Sequence, residues 1–157
     1  MERQSRVNPS RINDDPYLWA KQTVEALRAR DWSRIDIDEL IDEISSILRS
    51  SDRELQFLLR DILEGLLIIR FSPEYRREAE RILASAHGQM ELAFITAPSL
   101  RDTATPEFLA TSYQMAREYV EKEYRVSLPE ICPFSVEEAL TNPLPPHQQH
   151  HHYEDLE

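Results

Sequence analysis

The stretch SDRELQFLLRDILEGLLIIRF, residues 51–71, decides the fold class of this chain. From Leu55 onward its apolar residues cover most of the circumference of a helix, which is typical of a helix surrounded by other helices. Three acids of the stretch, Glu54, Asp61 and Glu64, are separated by seven and three positions, so they share one narrow stripe. We predict that Asp61 and Glu64 lie on an exposed edge of this helix and that their role is structural.

Upstream of this stretch, two further amphipathic helices are predicted. Asp15 before Pro16 is a helix-start signal. The expected core stripe of that first helix is Tyr17, Ala20, Val24 and Leu27. The next segment has an almost ideal single-face pattern, formed by Ile37, Leu40, Ile41, Ile44, Ile47 and Leu48. Ser51 and Glu54 form an S-x-x-E capping box, which predicts either a new helix or a kinked continuation at Ser51.

Downstream, helix ends are marked by prolines and capping residues. Pro73 is expected to end the central helix, because proline lacks an N–H group and restricts Ser72 before it. Another helix is predicted to follow, and a fourth long one to begin at Thr105 and Pro106. Ser135 and Glu138 predict one short capped helix in a proline-rich segment. The sequence predicts an all-α, compact bundle of four or five main helices.

The predicted domain boundaries follow from composition. Residues 1–14 are expected to be a disordered arm, residues 15–146 a single helical domain, and residues 147–157 a polar His-rich tail. Only two glycines occur in 157 residues, which excludes Gly-rich phosphate loops and many tight hairpins.

The net charge, the apolar runs and the cysteine content limit the classes of partner and the cell compartment that the sequence predicts. The chain has 29 acids against 18 Lys and Arg, which gives a net charge of −11. A negative charge disfavours binding to the phosphate backbone of nucleic acid. Its longest apolar run is far below the roughly 20 residues that span a bilayer, so no membrane association is expected. Cys132 is the single cysteine, which excludes an intrachain disulfide and fits a cytoplasmic protein.

One group of carboxylates has the spacing of a metal site. Glu39, Asp42 and Glu43 include an E-x-x-D pair on one helix face, where two carboxylates could hold a hydrated Mg²⁺ or Mn²⁺. Acids in the first turns of a helix also complement its macrodipole without any chemistry. A carboxylate-metal phosphohydrolase is therefore the alternative function, and the structural interpretation is favoured.

No other set of residues forms a convergent reactive group. His87 is the only histidine before the tail, and a buried structural role is favoured for it. The tail histidines His147, His150, His151 and His152 are expected to bind metals only adventitiously. Cys132 has no basic sequence neighbour to lower its pKa and is expected to be a packed thiol. We predict no catalytic residue and no cofactor.

Large apolar residues near the first helix point to an interaction surface. Leu18, Trp19 and Trp32 lie off or beyond the expected core stripe, and aromatic residues are enriched at the centres of protein interfaces. Packing at the end of the same core is the alternative. The sequence therefore predicts a protein partner or self-association through the first two helices.

Four short motifs in fixed order give the chain a family resemblance. They are D-x-Y-x-W from Asp15, D-x-x-x-L-x-x-E-I, PSLRD from Pro98, and P-x-x-CPFS-x-E from Pro129. Together they resemble the bacterial domain of unknown function 29 family over about residues 15–145. The resemblance implies an all-helical bacterial domain with no established activity.

The chain departs from the family pattern in its central helix. The family's usual signature of His, two leucines, Lys and an aromatic residue is replaced here by Gly65, Leu66, Leu67, Ile68 and Ile69. The family tryptophan in the helix after Pro73 is also absent. These differences favour a protein-interaction or regulatory module without catalytic activity.

Overall fold

The computed structural model describes residues 12–141 and is all-α, with no strand in that range. Its α-helices are α1 (Pro16–Ala29), α2 (Ile37–Phe71), α3 (Arg76–Thr96), α4 (Pro106–Tyr124) and α5 (Val136–Leu140). Short 3-10 turns are Trp32–Arg34, Pro73–Tyr75 and Pro98–Thr103. The chain divides into two units, and the boundary falls within α2: unit 1 ends at Arg49 and unit 2 begins at Ser50.

The predicted ends of the domain lie largely outside this range. The arm before residue 15 is described only from Ile12 onward, and the tail at 147–157 with its histidines is outside the described residues. The boundaries proposed for a single domain at 15–146 stay a prediction.

Unit 1 begins with a helix whose two ends are fixed by local signals. The Asp15 side chain accepts a hydrogen bond from the Leu18 amide at 2.9 Å, as an N-cap does. At the other end Arg30 adopts a left-handed conformation with φ of 55°, and the Asp31 amide donates to the Ala26 carbonyl at 2.9 Å. This geometry satisfies carbonyls of the last turn and ends α1 at Ala29.

The second helix of unit 1 is the first part of α2. The Asp36 side chain accepts from the Glu39 amide at 3.0 Å, which caps the start of the helix. From Ile37 the helix continues without interruption to Phe71. Ser51 therefore does not begin a new helix, because the apolar periodicity continues through the capping-box pattern.

Unit 2 has its core around the C-terminal part of α2. Fully buried residues there are Leu55, Leu59, Ile62, Leu63, Leu67 and Ile68. They share one cluster with α3 and α4, whose buried members include Leu83, Met90, Leu109, Tyr113 and Val120. The prediction of a central helix is confirmed for this part of α2.

Gly65 marks a close approach of α2 to α3 within unit 2. A Cβ atom at this position would lie 2.6 Å from Leu83 Cγ and 3.2 Å from the Ala79 carbonyl oxygen. These distances are too short for ordinary packing, so a side chain here would have to displace a neighbour. Gly65 thus lets the two helices pack closely.

The other predicted helix ends of unit 2 are confirmed. α2 ends at Phe71, two residues before Pro73, which begins the next 3-10 turn. The Thr105 hydroxyl caps α4, and Ser135 and Glu138 form the reciprocal capping box of α5. The short elements around α5 are further fixed by a hydrogen bond that the Tyr113 hydroxyl donates to the Pro129 carbonyl.

Candidate interaction surface

The clearest surface feature of unit 1 is an apolar stripe on the first part of α2. We call it the α2 stripe, and its members are Ile37, Ile41, Ile44 and Leu48. Intervals of four, three and four residues put these side chains on one helix face. Their exposed fractions are 47%, 55%, 54% and 63%. Four large aliphatic side chains on one face are thus about half accessible to a ligand.

Most of the acidic side chains of this segment lie away from the α2 stripe. With a rotation of about 100° per residue, Asp38 lies about 90° from the centre of the stripe, and Asp42 and Glu43 lie about 130° from it. Asp38 and Asp42 are exposed and Glu43 is half-buried. Arg49 is the single basic residue between positions 37 and 49. The apolar stripe and most of these acids therefore lie on different faces of α2.

Hydrogen bonds to the Glu39 carboxylate connect α1 and the residues before it to α2 and stabilise unit 1. The indole Nε1–H of Trp19 donates to Glu39 Oε2 at 2.8 Å. The backbone amide of Ile12 donates to Glu39 Oε1 at 3.1 Å, so both carboxylate oxygens accept a hydrogen bond. Trp19 itself is buried, with 9% of its surface exposed. Glu39 thus has a structural role in connecting the two helices.

The first helix presents a different face to its surroundings than the sequence predicted. The expected core stripe of Tyr17, Ala20, Val24 and Leu27 is exposed, so that prediction is wrong. Trp19 and Ala26, seven residues apart, are the buried residues of α1. The physical reason is that the indole of Trp19 can bury a large area and satisfy its N–H group at Glu39 in the same orientation.

Of the three residues predicted to form an interface, two are accessible. Trp32 is 62% exposed and Leu18 is 39% exposed, whereas Trp19 lies inside unit 1. One sequence signal could have shown that Trp19 is buried and Trp32 is not. Trp19 shares a helix face with the small residue Ala26, seven positions later, and Trp32 has no such partner on α1. An interface role for the three residues stays a prediction.

The predicted metal ligands line one open depression in unit 1. Glu39, Asp42 and Glu43 lie along it with Asp36 and Asp38, and its volume is about 610 Å³. Within residues 12–141, however, no three His, Cys, Asp or Glu side chains are grouped so that they could hold a metal ion. The hydrogen bonds to Glu39 also occupy the carboxylate that the E-x-x-D pair requires.

In unit 2, Glu64 is buried, so the prediction of an exposed edge is wrong for this residue. Only 9% of its surface is exposed, and its Oε1 lies 3.4 Å from Arg60 Nε. Arg60 makes a shorter contact with Asp61, at 2.6 Å. Burial raises the pKa of Glu64 to about 7, against the opposing effect of the Arg60 charge. Periodicity placed Glu64 at an edge, but the packing of neighbouring helices covers that edge.

His87 and Cys132 have the structural roles that the sequence favoured. His87 is buried, with Nδ1 3.0 Å from the Leu83 carbonyl oxygen and Nε2 3.1 Å from that of Ala139. Burial lowers its pKa, although the two carbonyls oppose this effect. Burial likewise raises the pKa of the Cys132 thiol, which makes it a poor nucleophile. His87 therefore joins α3 to α5.

Comparisons with known proteins place the chain in a family. No curated protein and no solved structure matches it. None of the helices described between residues 12 and 141 combines the length and apolar character needed to cross a membrane. The model of the Domain of unknown function DUF29 matches residues 13–143, which is most of the chain and includes parts of both units. The chain therefore belongs to the DUF29 family.

Proposed function

We propose that this protein is an interaction module that binds a protein partner through the α2 stripe of unit 1. The observation that carries the proposal is the exposure of Ile37, Ile41, Ile44 and Leu48, each by about half, on one helix face. Exposed aliphatic patches with a polar border are typical of protein interaction sites. Trp32 gives unit 1 a further exposed anchor of the type that dominates binding energy.

The energy available from the stripe can be estimated from its exposure. Full burial of an aliphatic side chain contributes about 1.5 to 3 kcal/mol, so covering the exposed half of four such residues contributes about 4 kcal/mol. An affinity of that size corresponds to a Kd of about 1 mM before ordering costs. Useful binding therefore needs contacts in addition to the stripe, such as those of the exposed Trp32.

The chemistry of the chain supports a protein partner over the other classes. The net charge of −11 disfavours nucleic acid, and Cys132 is a free cysteine, in keeping with a reducing, cytoplasmic setting. Neither His87 nor Cys132 is activated for catalysis, because both are held in packed surroundings.

Site-specific photocrosslinking in the cells that naturally produce the protein tests this proposal. A benzoylphenylalanine at position 44 should give a discrete crosslinked product, whereas the same group at Ile95, an exposed isoleucine of α3, should not. Ile41→Ser should abolish the product formed at position 44. Equal products at both positions, or a product at 44 that survives Ile41→Ser, would contradict the proposal.

A further inference from the structure

We propose that Glu64, Arg60 and Asp61 form a proton-dependent switch on α2, within unit 2. When Glu64 carries a proton, Arg60 stays paired with Asp61. When Glu64 is ionised, the guanidinium turns to Glu64 and leaves Asp61 as a free carboxylate. The switch lies in a different part of the chain from the α2 stripe and does not depend on the proposed function.

Arg60 lies between two carboxylates and is closer to one of them. Its Nε is 2.9 Å and its Nη2 is 2.6 Å from the same oxygen of Asp61, Oδ1. The distance from Nε to Glu64 Oε1 is 3.4 Å, whereas a hydrogen bond between charged groups is typically about 2.7 to 2.9 Å long. In this arrangement Asp61 therefore holds Arg60, and Glu64 is near enough to take it over by a small rotation of the guanidinium.

Solvent exposure decides which ionised carboxylate needs Arg60 more. The side chain of Glu64 is 12% exposed and that of Asp61 is 36% exposed. Water can replace Arg60 at Asp61, but it has little access to Glu64, where an unpaired charge is costly. Ionisation of Glu64 therefore favours the transfer of Arg60, and protonation of Glu64 removes the charge that attracts it.

The switch operates near neutral pH. Burial raises the pKa of Glu64 to about 7, while the Arg60 charge opposes this effect and the Asp61 charge adds to it. Below this value the proton neutralises Glu64, and above it the carboxylate is ionised. A change of about one pH unit on either side of neutrality is therefore enough to move most molecules from one arrangement to the other.

The titratable groups that face this site from other helices do not replace Arg60. On α4, Tyr119 has its pKa raised above the ordinary value by burial and by the charges of Glu123, Glu64 and Glu78. Its hydroxyl is therefore neutral near pH 7. Glu123 of α4 and Glu78 of α3 are acids, so neither can neutralise the Glu64 carboxylate. Arg60 remains the cation that responds when Glu64 loses its proton.

The carboxylate that the switch releases lies in an open depression of unit 2. Asp61 lines this depression with Glu78 and Arg81 of α3, and its volume is about 420 Å³. While Arg60 holds Asp61, the two α3 residues contribute one charge of each sign. A free Asp61 adds a negative charge to the lining. Ionisation of the buried Glu64 therefore changes the charge of an accessible surface.

Nuclear magnetic resonance of the full-length protein, from about pH 5 to about pH 9, tests the switch. The Glu64 carboxyl carbon should titrate with a midpoint near 7. The Arg60 Hε proton should show a nuclear Overhauser contact to the Asp61 side chain below that midpoint and to the Glu64 side chain above it. The Asp61 carboxyl carbon should shift with the same midpoint, because it loses Arg60 in the same step.

Three variants separate the switch from a general effect of pH. Glu64→Gln removes the titrating group, so Arg60 should keep its contact with Asp61 over the whole range. Glu80→Gln removes the acid of another i, i+4 pair, with Arg76, and is the matched control that should leave the transition unchanged. In Asp61→Asn, Arg60 is left with Glu64, so the Glu64 midpoint should fall by at least about half a pH unit.

Three results would overturn the switch. The first is a Glu64 titration during which Arg60 keeps its contact with Asp61. The second is an Arg60 transition that persists in Glu64→Gln. The third is a Glu64 midpoint that Asp61→Asn leaves unchanged, which decides the question even if Glu64→Gln does not fold.

Discussion

The two parts of α2 carry one apolar stripe in different surroundings. In the first part, Ile41 and Ile44 are more than half exposed, whereas Leu59 and Ile62 at equivalent positions of the second part are fully buried. The residue types and spacing are nearly the same in both. An apolar period therefore identifies the face of a helix that favours burial, and does not identify what covers it.

Truncating equivalent residues in the two parts of α2 tests this difference most directly. Leu59→Ala should lower the free energy of unfolding by about 3 to 5 kcal/mol, because it leaves a cavity in a packed core. Ile41→Ala should change it by less than about 0.5 kcal/mol, as expected for an exposed side chain. Urea unfolding followed by circular dichroism measures both. A large cost at Ile41 would show that its face is covered within the chain.

Glu64 makes the stability of the covered part of α2 depend on pH, because it is a buried acid there. An unfolded Glu has a pKa of about 4.3, whereas the folded value is about 7. Between these values the folded state binds the proton more tightly, so this group lowers stability as pH rises through the window. Above pH 7 the full cost of the buried charge is present.

Glu64→Gln should therefore raise the free energy of unfolding by about 2 kcal/mol at pH 8 and change it little near pH 4. Loss of the Arg60 contact, 3.4 Å long, offsets part of the gain. Glu54→Gln is the control, since Glu54 is an exposed carboxylate of the same helix. Equal effects of both variants at pH 8 would contradict the assignment of burial as the cause.

The two glycines extend the comparison to a covered and an open helix position. Gly65→Ala should destabilise the protein by about 1 to 2 kcal/mol, because overpacking against Leu83 outweighs the better helix propensity of alanine. At Gly88 an added Cβ meets no atom within 4 Å. Gly88→Ala should therefore stabilise α3 by up to about 1 kcal/mol. Thermal unfolding of the two variants gives opposite shifts if the helices pack as described.

The sequence predicted features that depend on neighbouring residues and missed those that depend on distant ones. Asp15, Pro73, Thr105 and Ser135 act on the backbone within a few positions, so their helix ends were predictable. The burial of Glu64 depends on side chains that the fold brings over it. A helical wheel has no information about those side chains.

The candidate surface was predictable in part for the same reason. The single-face pattern of residues 37–48 was evident, but its exposure requires knowing that unit 1 leaves this face open. On α1 the predicted stripe is exposed and the face with Trp19 is buried, because Trp19 forms a hydrogen bond with Glu39, twenty residues away. The face of α1 that forms the hydrogen bond is therefore the buried one, although the other face has more apolar residues.

The smallest predicted effect concerns that hydrogen bond. Trp19→Phe keeps an aromatic ring and removes the indole N–H group that donates to Glu39 Oε2 at 2.8 Å. The Glu39 carboxylate then loses one of its two donors, which should cost about 1 kcal/mol of stability in unit 1. Trp32→Phe is the matched control and should cost almost nothing, because Trp32 is 62% exposed.

Hydrogen exchange of the α1 and α2 amides resolves an effect of this size within unit 1. Faster exchange in α1 for Trp19→Phe, with no change for Trp32→Phe, is the expected result. Equal exchange in both variants would mean that the indole stabilises unit 1 by its apolar area alone.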